Sequence, residues 1–253
     1  MSNPLLERAR IPGETVRLPS LGLFYTNGEL SPDVVNGEVH VYPMTAYDEI
    51  IMHSVDKLIN GTAFDEVFRS CIPSILKPLE LFSKDIDFLM ICLKRVTYGP
   101  MITVNYQHTC DGAKYNSYEI DVSPFINTSV VIDPTTVNTS YQTILENGQV
   151  VQVHPIKMKD VISLMMEAQQ NTGTQEKVLD SLATVIASVD EVTDKEQILE
   201  WLHTIPVKMH KQISTIVDSS SNWGPSTDVE EVCKDCGSPI KIEVPLNPVI
   251  FFT

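Results

Sequence analysis

The chain has 253 residues, 43% of them hydrophobic and 20% charged, which are ordinary proportions for a globular protein of one large domain or two small ones. A formal net charge of −15 repels phosphate backbones and anionic membrane surfaces, and the lysines and arginines are scattered, so nucleic-acid binding is disfavoured. No apolar run approaches the roughly 20 residues of a membrane span, and the opening MSNPLLERARIPGETVRLPS lacks the apolar segment of a signal peptide.

In chain order, the first distinctive stretch is residues 18–25, LPSLGLFY. It is a candidate for docking on a partner or for capping the first structural module, with Phe24 and Tyr25 as its anchors. Asn36-Gly37 follows as a tight-turn signal. Val39 and Val41 alternate as in a half-buried strand, and Pro43 ends the ladder because it has no amide hydrogen to donate. Helical periodicity then runs over residues 45–59, 63–70 and 83–97, with Ser83 placed to cap the last. Cys71 and Cys92 lie within these apolar helical stretches and read as buried small hydrophobes. After Tyr98-Gly99 a strand leads to His108-Thr109-Cys110, a polar turn, and a second alternating strand, SYEIDV.

The plan then repeats. Residues 37–50, GEVHVYPMTAYDEI, align with residues 148–162, GQVVQVHPIKMKDVI, when Pro43 is set on Pro155. Val39 pairs with Val151, Val41 with Val153, Asp48 with Asp160 and Ile50 with Ile162, and Asn147-Gly148 precedes the second copy as Asn36-Gly37 does the first. Each copy reads as a hairpin leading into an amphipathic helix. Helices are expected over residues 157–170, 175–189 and 194–217, the last capped by Thr193 or Asp194 and split by Pro206. The second half closes like the first, with a strand, the turn Cys233-Lys234-Asp235-Cys236-Gly237, and a strand. The expected fold is α+β: two repeated β-hairpin–helical modules joined by a zinc-ribbon-like knuckle pair, with a helical middle segment. The expected units are residues 1–130, residues 131–222, and residues 223–253 packing back on residues 100–125.

Cysteine usage points to a metal. Five cysteines in a chain without a secretion signal argue for reduced thiols, and Cys110, Cys233 and Cys236 lie in polar, loop-like settings. Two residues between Cys233 and Cys236 let both sulfurs face one point, and Gly237 lets the backbone fold back. His108 and Cys110 hold the matching place in the first half, so His108, Cys110, Cys233 and Cys236 form a candidate structural Zn2+ site. A redox C-x-x-C is a competing reading, but it needs a strand-to-helix setting, whereas Gly237, Ser238, Pro239 and a strand follow here. A site that has lost its metal is the other. The remaining histidines form no ligand pair on one helix face. There is no glycine-rich phosphate loop, no G-x-S-x-G and no H-E-x-x-H, and Asp85 and Asp87 suit the positive end of a helix dipole, so no catalysis is expected.

Several stretches taken together resemble a family. PSLGLFYTNGEL, VHVYPMTAYDEI, NGTAFDEVFRSCIPSI and KDIDFLMICLKRVTYG come in the order seen in baseplate hub proteins and hub assembly factors of T4-like contractile-tailed phages. The close, CKDCGSPIKIEVPLNPVIFF, is similar to the family's C-x-x-C-G…P-L-N-P…F-F ending. The resemblance implies a structural or assembly role in the tail, with other hub proteins as partners and a symmetric, oligomeric baseplate as the setting. It places the chain in the virion tail baseplate, and in the host cytoplasm during assembly. Many family members carry C-x-x-C in the first knuckle where this chain has His108-Thr109-Cys110, which bears on metal occupancy. The apolar close, residues 245–253, either tucks onto the protein's own core or docks on a partner through Phe251 and Phe252. The competing functional class is a zinc-ribbon regulatory or nucleic-acid-binding module.

Overall fold

The computed structural model describes residues 11–110, 114–135, 141–170, 176–220, 222–246 and 251. Helices are mixed with small antiparallel sheets, an α+β arrangement.

The first unit opens with β1 (Glu14–Arg17) and β2 (Glu38–Val41), paired antiparallel from Glu14↔Val41 to Arg17↔Glu38. Asn36 and Gly37 make the expected tight turn, both with positive φ (52° and 70°). That turn does not join two paired strands, however. The partner of β2 lies back beyond the entry segment, whose Leu18 amide donates to the Gly37 carbonyl at 2.9 Å. Gly37 sits so close to the Leu21 backbone that a Cβ there would come within 2.9 Å of the Leu21 Cα, so only glycine fits the crossing.

Helix α1 (Ala46–Met52) starts with a capping box, in which Thr45 and Asp48 exchange hydrogen bonds. It stops at His53, and α2 (Val55–Ile59) and α3 (Thr62–Cys71) follow, so the single helix expected over residues 45–59 is two short ones. A 3-10 turn (Pro78–Glu80) leads into α4 (Ser83–Tyr98), the central helix, buried at Ile86 and from Phe88 to Leu93. Its N-cap is Phe82 and not Ser83. Ser83 is already helical, and Phe82 is held by aromatic packing where a side-chain cap was expected. Strands β3 (Met101–Tyr106) and β4 (Asn116–Asp121) form a hairpin, followed by the short α5 (Ser123–Asn127).

The second unit begins with β5 (Gln142–Ile144) and β6 (Val150–Val153), a true hairpin around Asn147-Gly148. Pro155 then separates β6 from α6 (Met158–Gln170), with the offset that separates β2 from α1. Helix α7 (Glu176–Val185) is shorter than expected. The β-branched and small run Ile186–Val189 leaves the helix as β7 and pairs antiparallel with β6, which gives β6 its second neighbour. Helices α8 (Lys195–Thr204) and α9 (Val207–Ser220) are split at Pro206 as expected, and Asp194 caps α8 by accepting from the Gln197 amide at 3.0 Å. The last hairpin, β8 (Asp228–Val232) and β9 (Pro239–Glu243), returns to the first unit.

Two main cores result, with a small, mainly aromatic cluster of Phe82, Ile132 and Trp223 beside them. The larger runs from Val16 to Phe125 and resumes at Cys233, Ile240, Ile242, Val244 and Phe251. The smaller is drawn from Leu145 to Ile213. The chain leaves the larger core at Val130 and comes back at Gly224, and these two residues pair through backbone hydrogen bonds of 3.0 and 2.8 Å. A second seam joins the units where the Ser83 amide donates to the Ile156 carbonyl (2.9 Å) and the Met158 amide to the Leu81 carbonyl (2.8 Å). Glu80 accepts from both Lys157 and Lys159 beside it.

The entry segment is pinned by a fully buried carboxylate. Asp85 accepts from the Ser20 amide at 3.1 Å and from the Tyr25 hydroxyl at 2.6 Å, while that hydroxyl accepts from the Phe82 amide at 2.9 Å. Burial pushes the Asp85 carboxyl up to about 6, against the downward pull of its Ser20 and Tyr25 donors. A carboxyl whose folded pKa is raised disfavours folding once it ionises. Its penalty is absent below about pH 4, grows as pH rises to about 6, and is constant above. Relative to the unaltered chain, Asp85→Asn is therefore expected to gain in Tm as pH is raised from about 4 to about 6, with no further change above. Thermal melts across that range check this, and a Tm difference that is flat with pH would refute it.

Candidate metal centre

Two hairpins far apart in the sequence, one from its middle and one from near its end, build this site. In β3–β4 the inward residues alternate as Ile102, Val104, Tyr118 and Ile120, all buried in the larger core. The ladder ends at the Tyr106↔Asn116 pair, and the chain beyond Tyr106 carries His108 and Cys110. In β8–β9 the ladder ends at Val232↔Pro239, with Ile240 and Ile242 turned inward. Pro239 is tolerated there because it is the first residue of its strand. Between the strands, the Cys233 amide donates to the Ser238 carbonyl and the Gly237 amide to the Cys233 carbonyl, both at 2.9 Å. Gly237, at φ 74°, supplies the left-handed residue the turn requires.

The two tips meet. Cys110 Sγ lies 4.0 Å from Cys233 Sγ, and Cys236 Sγ lies 3.5 Å from His108 Nδ1. The ligand atoms of all four residues fall within 4.8 Å of one another, a group that can hold a metal ion. Cys233 is buried, His108 and Cys110 are half-buried and Cys236 is exposed, so the site sits at the edge of the larger core.

The residues between the two cysteines, which carry no signal in the spacing, fasten one hairpin to the other. Asp235 Oδ2 accepts from the Lys114 amide at 3.1 Å and from Asn116 Nδ2 at 2.8 Å. The Lys234 amide donates to the Tyr118 hydroxyl at 3.3 Å. Its ammonium lies 4.8 Å from the Tyr118 ring centroid and donates to the Ser117 carbonyl. Sequence reasoning missed these contacts, because a lysine and an aspartate in a polar turn read as solvated.

The thiols are not equivalent. Hydrogen bonds from the Ser238 side chain and backbone bring the Cys236 thiol down to about 6, with Cys233 and His108 adding to the effect. Desolvation pushes the Cys110 thiol up to about 11, and the neighbouring Cys236 and Cys233 sulfurs push the same way. One thiolate is thus already present near neutral pH, and a cation at the centre would draw the other protons off.

A family model described as T4 bacteriophage base plate protein matches residues 29–252, which takes in the smaller core, all of the larger one but Val16 and Leu18, and all four candidate ligands. The chain belongs to this baseplate family. Comparison with curated proteins and with solved structures finds no match.

Other residues of this baseplate protein singled out in its sequence fall elsewhere. Phe24 and Tyr25 pack inward, Phe24 edge-on to Phe82 and Tyr141 and Tyr25 stacked on Phe82, in a cluster with Ile132 and Trp223. Phe251 is wholly buried in the larger core, the reading in which the close tucks onto the protein itself. Phe252 and the turn residues 111–113 lie outside the described residues. Cys71 and Cys92 are buried in the larger core, far from solvent. His40, His53, His154 and His210 each hydrogen-bond a nearby hydroxyl or carbonyl, as structural histidines do. The C-x-x-C turn joins strand to strand, which is not the strand-to-helix setting of a thioredoxin-like redox pair. Among the described residues, no helix is long and apolar enough to cross a membrane.

In chelator-treated protein at pH 7 to 8, iodoacetamide is expected to modify Cys236 first and Cys110 much more slowly, since only the former is largely thiolate. The Cys236 rate should fall as pH drops through about 6. Peptide mapping by mass spectrometry reads the order, and equal rates at the two sulfurs would contradict it.

Proposed function

We infer that this baseplate protein is a non-catalytic structural or assembly component of the tail hub, held in shape by one zinc ion. Its contacts would be with other hub proteins within a symmetric baseplate, and it would pass through the host cytoplasm before assembly. The observation that carries the reading is the convergence of His108, Cys110, Cys233 and Cys236 in a chain whose family is that of baseplate proteins.

The donor set fits zinc. With Zn–S near 2.3 Å and Zn–N near 2.0 Å, a tetrahedral site has sulfur–sulfur edges of about 3.8 Å and sulfur–nitrogen edges of about 3.5 Å. One sulfur–sulfur separation here is 4.0 Å and one sulfur–nitrogen separation 3.5 Å, with all four ligand atoms within 4.8 Å of one another. His108 stands where a third cysteine pair member would otherwise be, and its imidazole is an equally suitable zinc ligand. Four protein ligands leave no position for a reactive water, so the metal would supply folding free energy and no chemistry on a substrate.

The same reading accounts for the division of the chain. Residues 1–130 and 223–253 would form one zinc-closed unit and residues 131–222 a second, the two related by the repeated strand–proline–helix pattern at Pro43 and Pro155. The net charge of −15 suits a component that stays soluble until it meets a basic partner surface.

Metal analysis of the purified chain is expected to find one zinc per molecule, and Cys233→Ser to lose it along with about 10 °C or more of Tm. Deleting the gene is expected to stop tail formation, and the chain to co-purify with hub proteins or particles. A metal-free native protein would refute the zinc centre. Normal tails without the gene would refute the assembly role.

A further inference from the structure

A groove with no assigned occupant lies between α2, α4 and α6, at a distance in sequence from every metal ligand except through Leu246, which follows β9. It has a volume of about 550 Å³. Its lining is apolar and rich in methionine: Leu58, Met90, Met158, Ile162, Met165 and Met166. Three further observations separate it from an ordinary surface hollow.

The rim is exposed although apolar. Val55, Ile59 and Met165 border the groove with 60%, 41% and 60% of their surface open to solvent. The four methionines have unbranched, polarizable side chains, which can refit around an incoming apolar surface in a way that branched residues cannot. The walls are helical, and no strand contributes to the lining. Helical walls present no sheet edge with which an incoming chain could pair. An extended peptide would bury its own backbone groups there without partners, which is costly for each group. A helix brings its backbone hydrogen bonds with it.

The groove is also charged at one point. Asp87 lines it, and among the described residues this carboxylate makes no hydrogen bond or ion pair. Its neighbour on α4, Asp85, is turned the other way, into the Ser20–Tyr25 network. Burial raises the Asp87 carboxyl to about 6, opposed by the nearby charge of Lys84, so at neutral pH a mostly ionised, partly exposed carboxylate borders the groove with no protein hydrogen-bond donor among the described residues. A cationic side chain entering the groove would supply one.

We propose that this groove receives an amphipathic helix of another tail protein, its apolar face against the methionines and a lysine or arginine against Asp87. The overall charge of −15 favours the same class of partner. The proposal rests on the reading that the chain works through protein contacts, and it names where one of them is made.

The test uses the full chain and a defined probe: synthetic peptides of about 20 residues, five helical turns or more, that tile the other tail proteins encoded with it. Binding is read by fluorescence anisotropy. The expected binders become helical on binding and carry a basic residue beside an apolar face. Asp87→Asn should weaken them about tenfold or more, the loss of one charge-assisted hydrogen bond. Met165→Lys should weaken them at least as much while leaving the melting curve near that of the unaltered chain, because the side chain is mostly exposed. Val207→Asp, on α9 and also exposed, should change nothing. The proposal is overturned if no tiled peptide binds, if binders are extended or acidic, or if binding ignores both groove variants. It is equally overturned if sedimentation shows the chain pairing with itself in a way that Met165→Lys abolishes. Should the groove fail while gene deletion still stops tail formation and the chain still travels with hub proteins, the docking site falls and the assembly role stands.

Discussion

A short antiparallel contact between Val130 and Gly224 closes the loop that carries the smaller core. The chain departs from its larger core at the first residue and re-enters at the second, and the two are bonded amide to carbonyl in both directions. Closing a loop of that length costs on the order of 4 kcal/mol in chain entropy, well above what two backbone hydrogen bonds return. The difference has to come from what the closure allows. The second core folds within the loop and shortens its effective span. The returning segment brings Trp223 to Phe82 and Ile132, and behind it β8–β9 supplies Ile240, Ile242 and Val244 to the larger core.

The knuckle pair lies at the far end of that same return. Its ligands are not gathered by a local loop, as in an isolated finger, but by two hairpins that the larger core has already set side by side. Protein contacts surround it on the C-x-x-C side. Asp235 reaches Lys114 and Asn116, and Lys234 reaches Ser117 and Tyr118, so the turn is oriented by its middle residues while its sulfurs and the His108 ring are left to face one another. A cation bound there would have to remove protons and would need little rearrangement of the backbone.

Much of this was readable in the sequence because it depends on local chemistry. Alternating valines, the prolines at 43, 155 and 206, the Asp194 cap and the cysteine spacing each act over a few residues, and each has the expected structural effect at its own position. That His108, Cys110, Cys233 and Cys236 would come together was readable for a different reason: sulfur and imidazole in polar turns have few other uses. What escaped depends on long-range pairing. The run Ile186–Val189 looks helical by continuity with α7, and becomes a strand only because β6 has an open edge beside it. The partner of β2 could not be seen, because a tight turn at Asn36-Gly37 suggested a neighbour in sequence when the neighbour in space was β1. Lys234 and Asp235 look solvated until Tyr118 and Asn116 are brought opposite them.

The order of the segments has a consequence for synthesis. A ribosome delivers β3–β4 early, with the inward side chains Ile102, Val104, Tyr118 and Ile120 needing cover that β8–β9 provides only after the whole second core has emerged. At about 5 to 20 residues per second, that interval lasts several seconds, during which the larger core is open on one side. A chain broken off anywhere before residue 228 keeps that side open for good, and leaves His108 and Cys110 without their counterparts. Because the closing hairpin follows the residues it covers, the larger core is complete only in chains translated through to that point.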